Sequence, residues 1–109
     1  MNITGLFEKL SAKDCTDIVD LNVTHVVMLS KLFVDYFMSS RKPKGLKCGL
    51  INVSSLAAYS EGAALAIYAS TKAFVNFFTH PVAFELEKDI DIQCLTPSLT
   101  KTNLLHGTQ

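Results

Sequence analysis

Two short β-prone runs, each led in by a long stretch of helical periodicity, constrain this 109-residue chain more than any other feature. The first, Cys48-Gly49-Leu50-Ile51-Asn52-Val53, is apolar, rich in strand formers and closed by Ser54-Ser55, the texture of a buried parallel strand. The second runs from Ile90 to Thr96 and is stopped by Pro97. Upstream of the first, Ile18, Leu21, Val26, Leu29, Leu32, Phe33, Tyr36 and Phe37 recur at three- and four-residue steps. That spacing predicts one apolar face of a helix over Lys13–Ser39. Ser11 stands before it as an N-cap, with Asp14 three residues on in a weak capping box. Arg41-Lys42-Pro43-Lys44-Gly45 ends it with a basic last turn followed by breakers. A second helix is expected over Ala64–Lys88, burying Ile67, Phe74, Phe78 and Val82. Helix, strand, helix, strand with short connections implies parallel strands joined by a right-handed crossover in an open α/β sheet.

Pro81 lies deep in the second helix, where it removes the hydrogen bond to the carbonyl of Phe77. Such a residue costs about 3 kcal/mol unless the helix bends, so a kink is expected over Phe77–Pro81. The Phe74, Phe77, Phe78 and Phe84 group reads as core packing.

Charge and cysteine content narrow the functional classes. Ten basic residues balance ten acidic ones, so no broad attraction to nucleic acid or an anionic membrane follows. The run Arg41–Lys44 reads as a solvated loop. Cys15, Cys48 and Cys94 are odd in number, with no C-x-x-C pair, which fits a reducing compartment; Cys48 and Cys94 read as small buried hydrophobes. His25 and His80 have no second ligand at metal spacing and read as structural or exposed. Sequons at Asn2, Asn22 and Asn52 are discounted because two fall inside predicted regular structure. No signal-peptide pattern opens the chain, since Glu8 and Lys9 interrupt the apolar residues. The longest apolar stretch, Val26 to Val34, is broken by Ser30 and Lys31 and falls short of a membrane span.

The residues that can carry chemistry gather at the first strand's end. Ligands of open α/β sheets collect outside the carboxyl ends of the strands, which is where Ser54 and Ser55 lie. Tyr68 and Lys72 are four apart on the following helix, one turn apart on one face. The positive charge of Lys72 favours tyrosinate, making the Tyr68 phenol a better acid toward a carbonyl, or a base in reverse. A Ser55 hydroxyl beside them would polarise the same oxygen. The alternatives are a helix-surface pair for Tyr68 and Lys72, and a turn cap for Ser55. Asn22 and His25 fall on the otherwise apolar stripe of the first helix, and a buried amide needs partners or a task.

Tyr68-Ala69-Ser70-Thr71-Lys72 resembles the Y-x-x-x-K signature of short-chain dehydrogenases/reductases. Asn52-Val53-Ser54-Ser55 is similar to that family's N-[IV]-S-S strand end, and the thirteen residues from Ser55 to Tyr68 are a spacing the family uses. Asp20-Leu21-Asn22-Val23 matches the helix segment bearing the family's catalytic asparagine. Thr96-Pro97-Ser98-Leu99-Thr100-Lys101-Thr102 occupies the place of the P-G-x-V-x-T motif.

The resemblance implies a fragment of a Rossmann-like doubly wound parallel sheet. It implies catalytic Asn22, Ser55, Tyr68 and Lys72, with Asn22, Tyr68, Lys72, Pro97 and Thr102 toward the cofactor. In the family the asparagine anchors a water leading toward the lysine. Lys72-Ala73-Phe74-Val75-Asn76-Phe77-Phe78 and Ile92-Gln93-Cys94-Leu95-Thr96-Pro97 resemble the 17-beta-hydroxysteroid dehydrogenase and very-long-chain 3-oxoacyl-CoA reductase branch. That branch implies NADP(H) ahead of NAD(H), a small carbonyl or alcohol substrate, and the endoplasmic reticulum; without it the cytoplasm is expected.

A dinucleotide also needs a glycine-rich turn at a helix N-terminus. Gly5, Gly45, Gly49, Gly62 and Gly107 are isolated from one another and form no G-x-x-x-G-x-G. The expectation is a single partial domain over residues 1–109 that lacks the cofactor-binding first half and a substrate-binding tail. Two readings follow: a carbonyl–alcohol oxidoreductase represented by its catalytic middle, or a non-enzymatic remnant that associates with a full-length relative. In either case the long helices are candidates for a homo-oligomer face.

Overall fold

The computed structural model describes residues 3–40, 43 and 45–99. Its elements alternate as expected: α1 (Ala12–Val19), a π-helical turn (Asp20–Thr24), α2 (His25–Ser39), β1 (Cys48–Val53), α3 (Ala66–Glu85) and β2 (Ile90–Leu95). Short 3-10 turns cover Phe7–Lys9 and Leu56–Tyr59. The strands pair in parallel, in register from Cys48 against Ile90 to Val53 against Leu95.

The first helix begins where its cap says it should. Ser11 Oγ accepts from the Asp14 backbone N–H at 3.0 Å and donates to the Asp14 carboxylate at 2.9 Å. That satisfies one amide left open by the first turn and sets a negative charge near the helix's positive end. The predicted single helix is instead two α-segments spliced by the π-turn, closed by His25 N–H donating to the Asp20 carbonyl. One extra residue in a turn shifts the downstream face, so the apolar stripe drawn across Lys13–Ser39 does not stay on one side. Ile18 is buried, whereas Leu21, Leu29, Leu32, Phe33 and Tyr36 are exposed.

The helices cover one face of the sheet. Asn52 is buried, as are Ile90 and Ile92, while Ile51, Val53 and Leu95 on the opposite face are exposed. β1 therefore alternates rather than being buried on both sides, because the strand has helices on one face only among the described residues.

One expectation about α3 needs correction. Its buried positions are Ala69, Thr71, Val75 and Thr79; Ile67, Phe78 and Val82 are only half-buried and Phe74 is exposed. Phe74 and Phe78 do stack, with ring centroids 5.8 Å apart, but Phe77 and Phe84 are 81% and 77% exposed. Small and hydroxyl-bearing residues bring the helix close to the sheet, and that proximity leaves the aromatics outside. The helix also runs without a break through Pro81, which lies on its exposed side. A helix edge facing solvent lets water satisfy the carbonyl that the missing N–H leaves open.

Cys48 and Cys94 are only half-buried, and Cys94 Sγ lies 3.1 Å from Asn76 Oδ1 as a hydrogen-bond donor. His25 and His80 are exposed. No group of three metal-capable side chains exists among the described residues.

Candidate active site

The carboxyl end of β1 carries Ser54 and Ser55 and touches the turn of α3 that bears Lys72. After Val53 the chain stays extended at Ser55 (φ −160°, ψ 154°), then turns into the 3-10 segment. Ser54 N–H donates to the Leu95 carbonyl at 2.7 Å and Leu56 N–H to the Pro97 carbonyl at 3.0 Å. The segments leaving both strands are thus held side by side. Pro97 enters the site through its backbone.

Buried Ser54 donates its hydroxyl to the Lys72 carbonyl at 2.8 Å, fastening α3 to the strand tip at the turn that carries the lysine. Lys72 Nζ reaches back to the Val53 carbonyl at 3.4 Å. It also lies 5.8 Å from the centroid of the Tyr68 ring, within range of the ring's attraction for a cation. Burial pushes the Lys72 ammonium below the ordinary 10.5 of a lysine, with neighbouring Cys94 acting in the opposite direction. A half-desolvated ammonium with one long hydrogen bond here retains donor capacity for a ligand.

Ser55 Oγ accepts from the Ala57 N–H at 3.1 Å. That is the turn-cap alternative, and it is compatible with the catalytic one. A hydroxyl has one proton to give and two lone pairs. Accepting from Ala57 fixes the oxygen and leaves the proton for another acceptor.

Asn22 sits in the middle of the π-turn and donates through Nδ2 to Thr71 Oγ1 at 3.1 Å. Thr71, 3% exposed, donates in turn to the Tyr68 carbonyl at 2.7 Å. The sequence thus brings Asn22, Tyr68 and Lys72 onto one helix–helix junction, with Ser54 and Ser55 at the strand tip beside it. Thr102 lies outside the described residues.

Sequence reasoning missed three members of this framework. Thr71 stands inside the Y-x-x-x-K pattern but was not singled out. Ser54 was placed at the strand end without a partner. Asn52 accepts from Ser30 of α2 at 3.3 Å and donates to Thr79 of α3 at 3.1 Å, joining both helices to β1. Thr71, Val75 and Thr79 recur every four residues, a signal that an apolar-only pattern discards.

A model of the short chain dehydrogenase family matches residues 1–109, and the chain belongs to that family of oxidoreductases. Among curated relatives it is 35% identical over 82 residues to 17-beta-hydroxysteroid dehydrogenase type 3 of Mus musculus, covering 74% of this chain and 25% of that one. It is 26% identical over 104 residues to a very-long-chain 3-oxoacyl-CoA reductase of Mycosarcoma maydis, covering 94% of this chain and 28% of the relative.

Solved structures give the same answer. A short-chain dehydrogenase from Sphingobium yanoikuyae in complex with NADPH superposes with TM-score 0.83 at 25% identity, over 98% of this chain and 40% of that one. A 3-ketoacyl-(acyl-carrier-protein) reductase from Brucella melitensis complexed with NADH gives 0.84 at 29%, over 94% and 43%. The chain therefore spans about a quarter of these curated relatives and two-fifths of these solved ones.

Proposed function

We propose that this chain supplies the catalytic segment of a nicotinamide-dependent oxidoreductase that interconverts a ketone and a secondary alcohol. The observation that carries the reading is the junction itself: Lys72 over the Tyr68 ring, Asn22 reaching the same helix through Thr71, and Ser55 held at the strand tip. In carbonyl reduction Tyr68 gives its phenolic proton to the substrate oxygen, and Ser55 donates a hydrogen bond to that oxygen as charge develops on it. Lys72, whose Nζ lies 5.8 Å from the ring centroid, supplies positive charge beside that phenol. Asn22 holds a water toward Lys72, from which the proton is replaced.

The residues present fit one end of the cofactor. Lys72, with donors to spare, would hold the ribose, and Pro97 with Thr102 the nicotinamide side; the chain has no glycine-rich turn for the pyrophosphate. When bound, the nicotinamide exchanges a hydride with the carbonyl carbon. Resemblance to the hydroxysteroid and 3-oxoacyl branch favours NADP(H) over NAD(H), a ketosteroid or 3-oxoacyl substrate, and the endoplasmic reticulum. The solved relatives hold NADPH in one case and NADH in the other. No helix among the described residues is long and apolar enough to cross a membrane.

A second reading has its own observation. Met28, Leu32, Phe77 and Phe84 are each at least 60% exposed on the long helices, and a chain acting only by association with a full-length relative, or with itself, would use such faces. Fluorescence titration of NADPH with the 109-residue protein separates the two. Saturable binding supports the oxidoreductase, and its absence favours the associating remnant. In the longest form of the protein that reduces a ketone, Tyr68→Phe should lower kcat by about 10²–10⁴-fold with NADPH affinity unchanged. Retained turnover overturns the assignment.

A further inference from the structure

We infer that Ser54 is a positioning residue that sets the Lys72 ammonium at the tip of β1; this rests on Lys72 and Ser55 being site residues as proposed above. Lys72 is held to the dipeptide Val53-Ser54 at both of its ends. Its main-chain carbonyl accepts from the Ser54 hydroxyl at 2.8 Å, and its Nζ donates to the Val53 carbonyl at 3.4 Å. The direction of the first bond is fixed, because a carbonyl can only accept and the hydroxyl has one proton to give. Ser54 is 2% exposed, so water has little access to compete for that proton. Its backbone is pinned as well, through the N–H that donates to the Leu95 carbonyl at 2.7 Å.

The two bonds close a clasp of unequal strength. The Nζ contact is long and ends a flexible four-carbon stem, so it does not place the ammonium unaided. The buried hydroxyl bond has an ordinary length and acts on the backbone, which fixes where that stem begins. One turn further along α3, Asn76 Oδ1 accepts from Cys94 Sγ of β2 at 3.1 Å. That tie holds the helix to the neighbouring strand, beyond Lys72 and away from Tyr68. Ser54 acts at the turn that runs from Tyr68 to Lys72, and as the neighbour of Ser55 it refers that turn to the serine hydroxyl. Without its bond the turn can lift from the strand tip, the Val53 carbonyl passes out of reach, and the ammonium returns to water.

The test is the titration of Lys72 in the intact ¹³C-lysine-labelled chain, followed at its Cε–Hε resonances and assigned by their disappearance in Lys72→Met. Tyr68 on the same helix and Cys94 on β2, the titratable groups beside it among the described residues, stay unchanged. Burial holds the wild-type ammonium below 10.5. Ser54→Ala should let it rise toward 10.5, a shift that a general loss of stability would not give in the folded chain. Ser54→Thr, which keeps the hydroxyl, should restore the wild-type curve. Should the alanine variant not fold, Ser54→Cys, a weaker donor in the same place, should move the curve in the same direction. An unchanged Lys72 titration in Ser54→Ala or Ser54→Cys would overturn the inference. So would a threonine variant that titrates like alanine. NADPH titration of wild type decides the oxidoreductase assignment separately, and the Lys72 curve decides the clasp whether or not the chain binds NADPH.

Discussion

The two sides of α3 differ more than any other two regions of the molecule. On its buried side, against the sheet and the π-turn, it presents Ala69, Thr71, Val75 and Thr79; outward it presents Phe77 and Phe84, large and mostly exposed. Size, not hydrophobicity, sorts the residues. The inward side makes specific bonds: Asn52 to Thr79, Asn22 to Thr71, Ser54 to the Lys72 carbonyl. The outward side makes none of these. Specific bonds lie beneath the helix, and exposed aromatic rings lie above it.

The strongest challenge to that contrast is to put an outward residue inward. Thr79 is fully buried, and Thr79→Phe should destabilise the chain by about 3 kcal/mol through overpacking and loss of its bond to Asn52, read as a lower urea midpoint. Next in size is Asn52→Ala, which strands the buried Ser30 hydroxyl and removes the donor to Thr79 Oγ1, which keeps its own bond to the Val75 carbonyl. A cost of about 2 kcal/mol is expected in the same measurement. An unchanged midpoint would mean that the polar seam under α3 does not hold the helices to the strand.

Ala64, two residues before α3, has φ 67°, a left-handed conformation that strains any residue with a Cβ. Ala64→Gly relieves that strain but loosens the unfolded chain, so a net gain of about 0.5–1 kcal/mol should appear as a higher Tm.

Lys72 gives a pH-dependent effect of smaller size, because its head is partly exposed. Burial lowers its folded pKa below 10.5, so the unfolded chain binds the proton more tightly. The cost of desolvating the ammonium is present in full below the lowered folded value, and stability rises with pH from there up to about 10.5. Lys72→Met should therefore be slightly more stable than wild type at pH 7, with the difference vanishing above pH 10.5, by urea denaturation at both values. Smallest of all on stability is Phe77→Ser, within about 0.5 kcal/mol, since the ring is 81% exposed. Its expected effect is on self-association, measured by sedimentation; equal association would remove the adhesive role of that face.

Legibility in the sequence followed the same division. The strand Cys48–Val53, the alternation of elements and the Y-x-x-x-K turn were readable because each is a local pattern. The π-turn at Asp20–Thr24 was not, since an inserted residue leaves the spacing of a long apolar stretch looking smooth. The only hint was the polar pair Asn22 and Thr24 interrupting it. The inward face of α3 was misread because aromatic residues weigh heavily in a hydrophobic pattern while Thr71 and Thr79 count as polar. What decides their burial is the clearance between helix and sheet, a tertiary quantity.

Ser54 grips residue 72 through its main-chain oxygen and not through the charged head. The anchorage is thus blind to which amino acid stands there: methionine, arginine or glutamine would inherit the same tether. Exchanges at this position separate what the ammonium does from what the scaffold does.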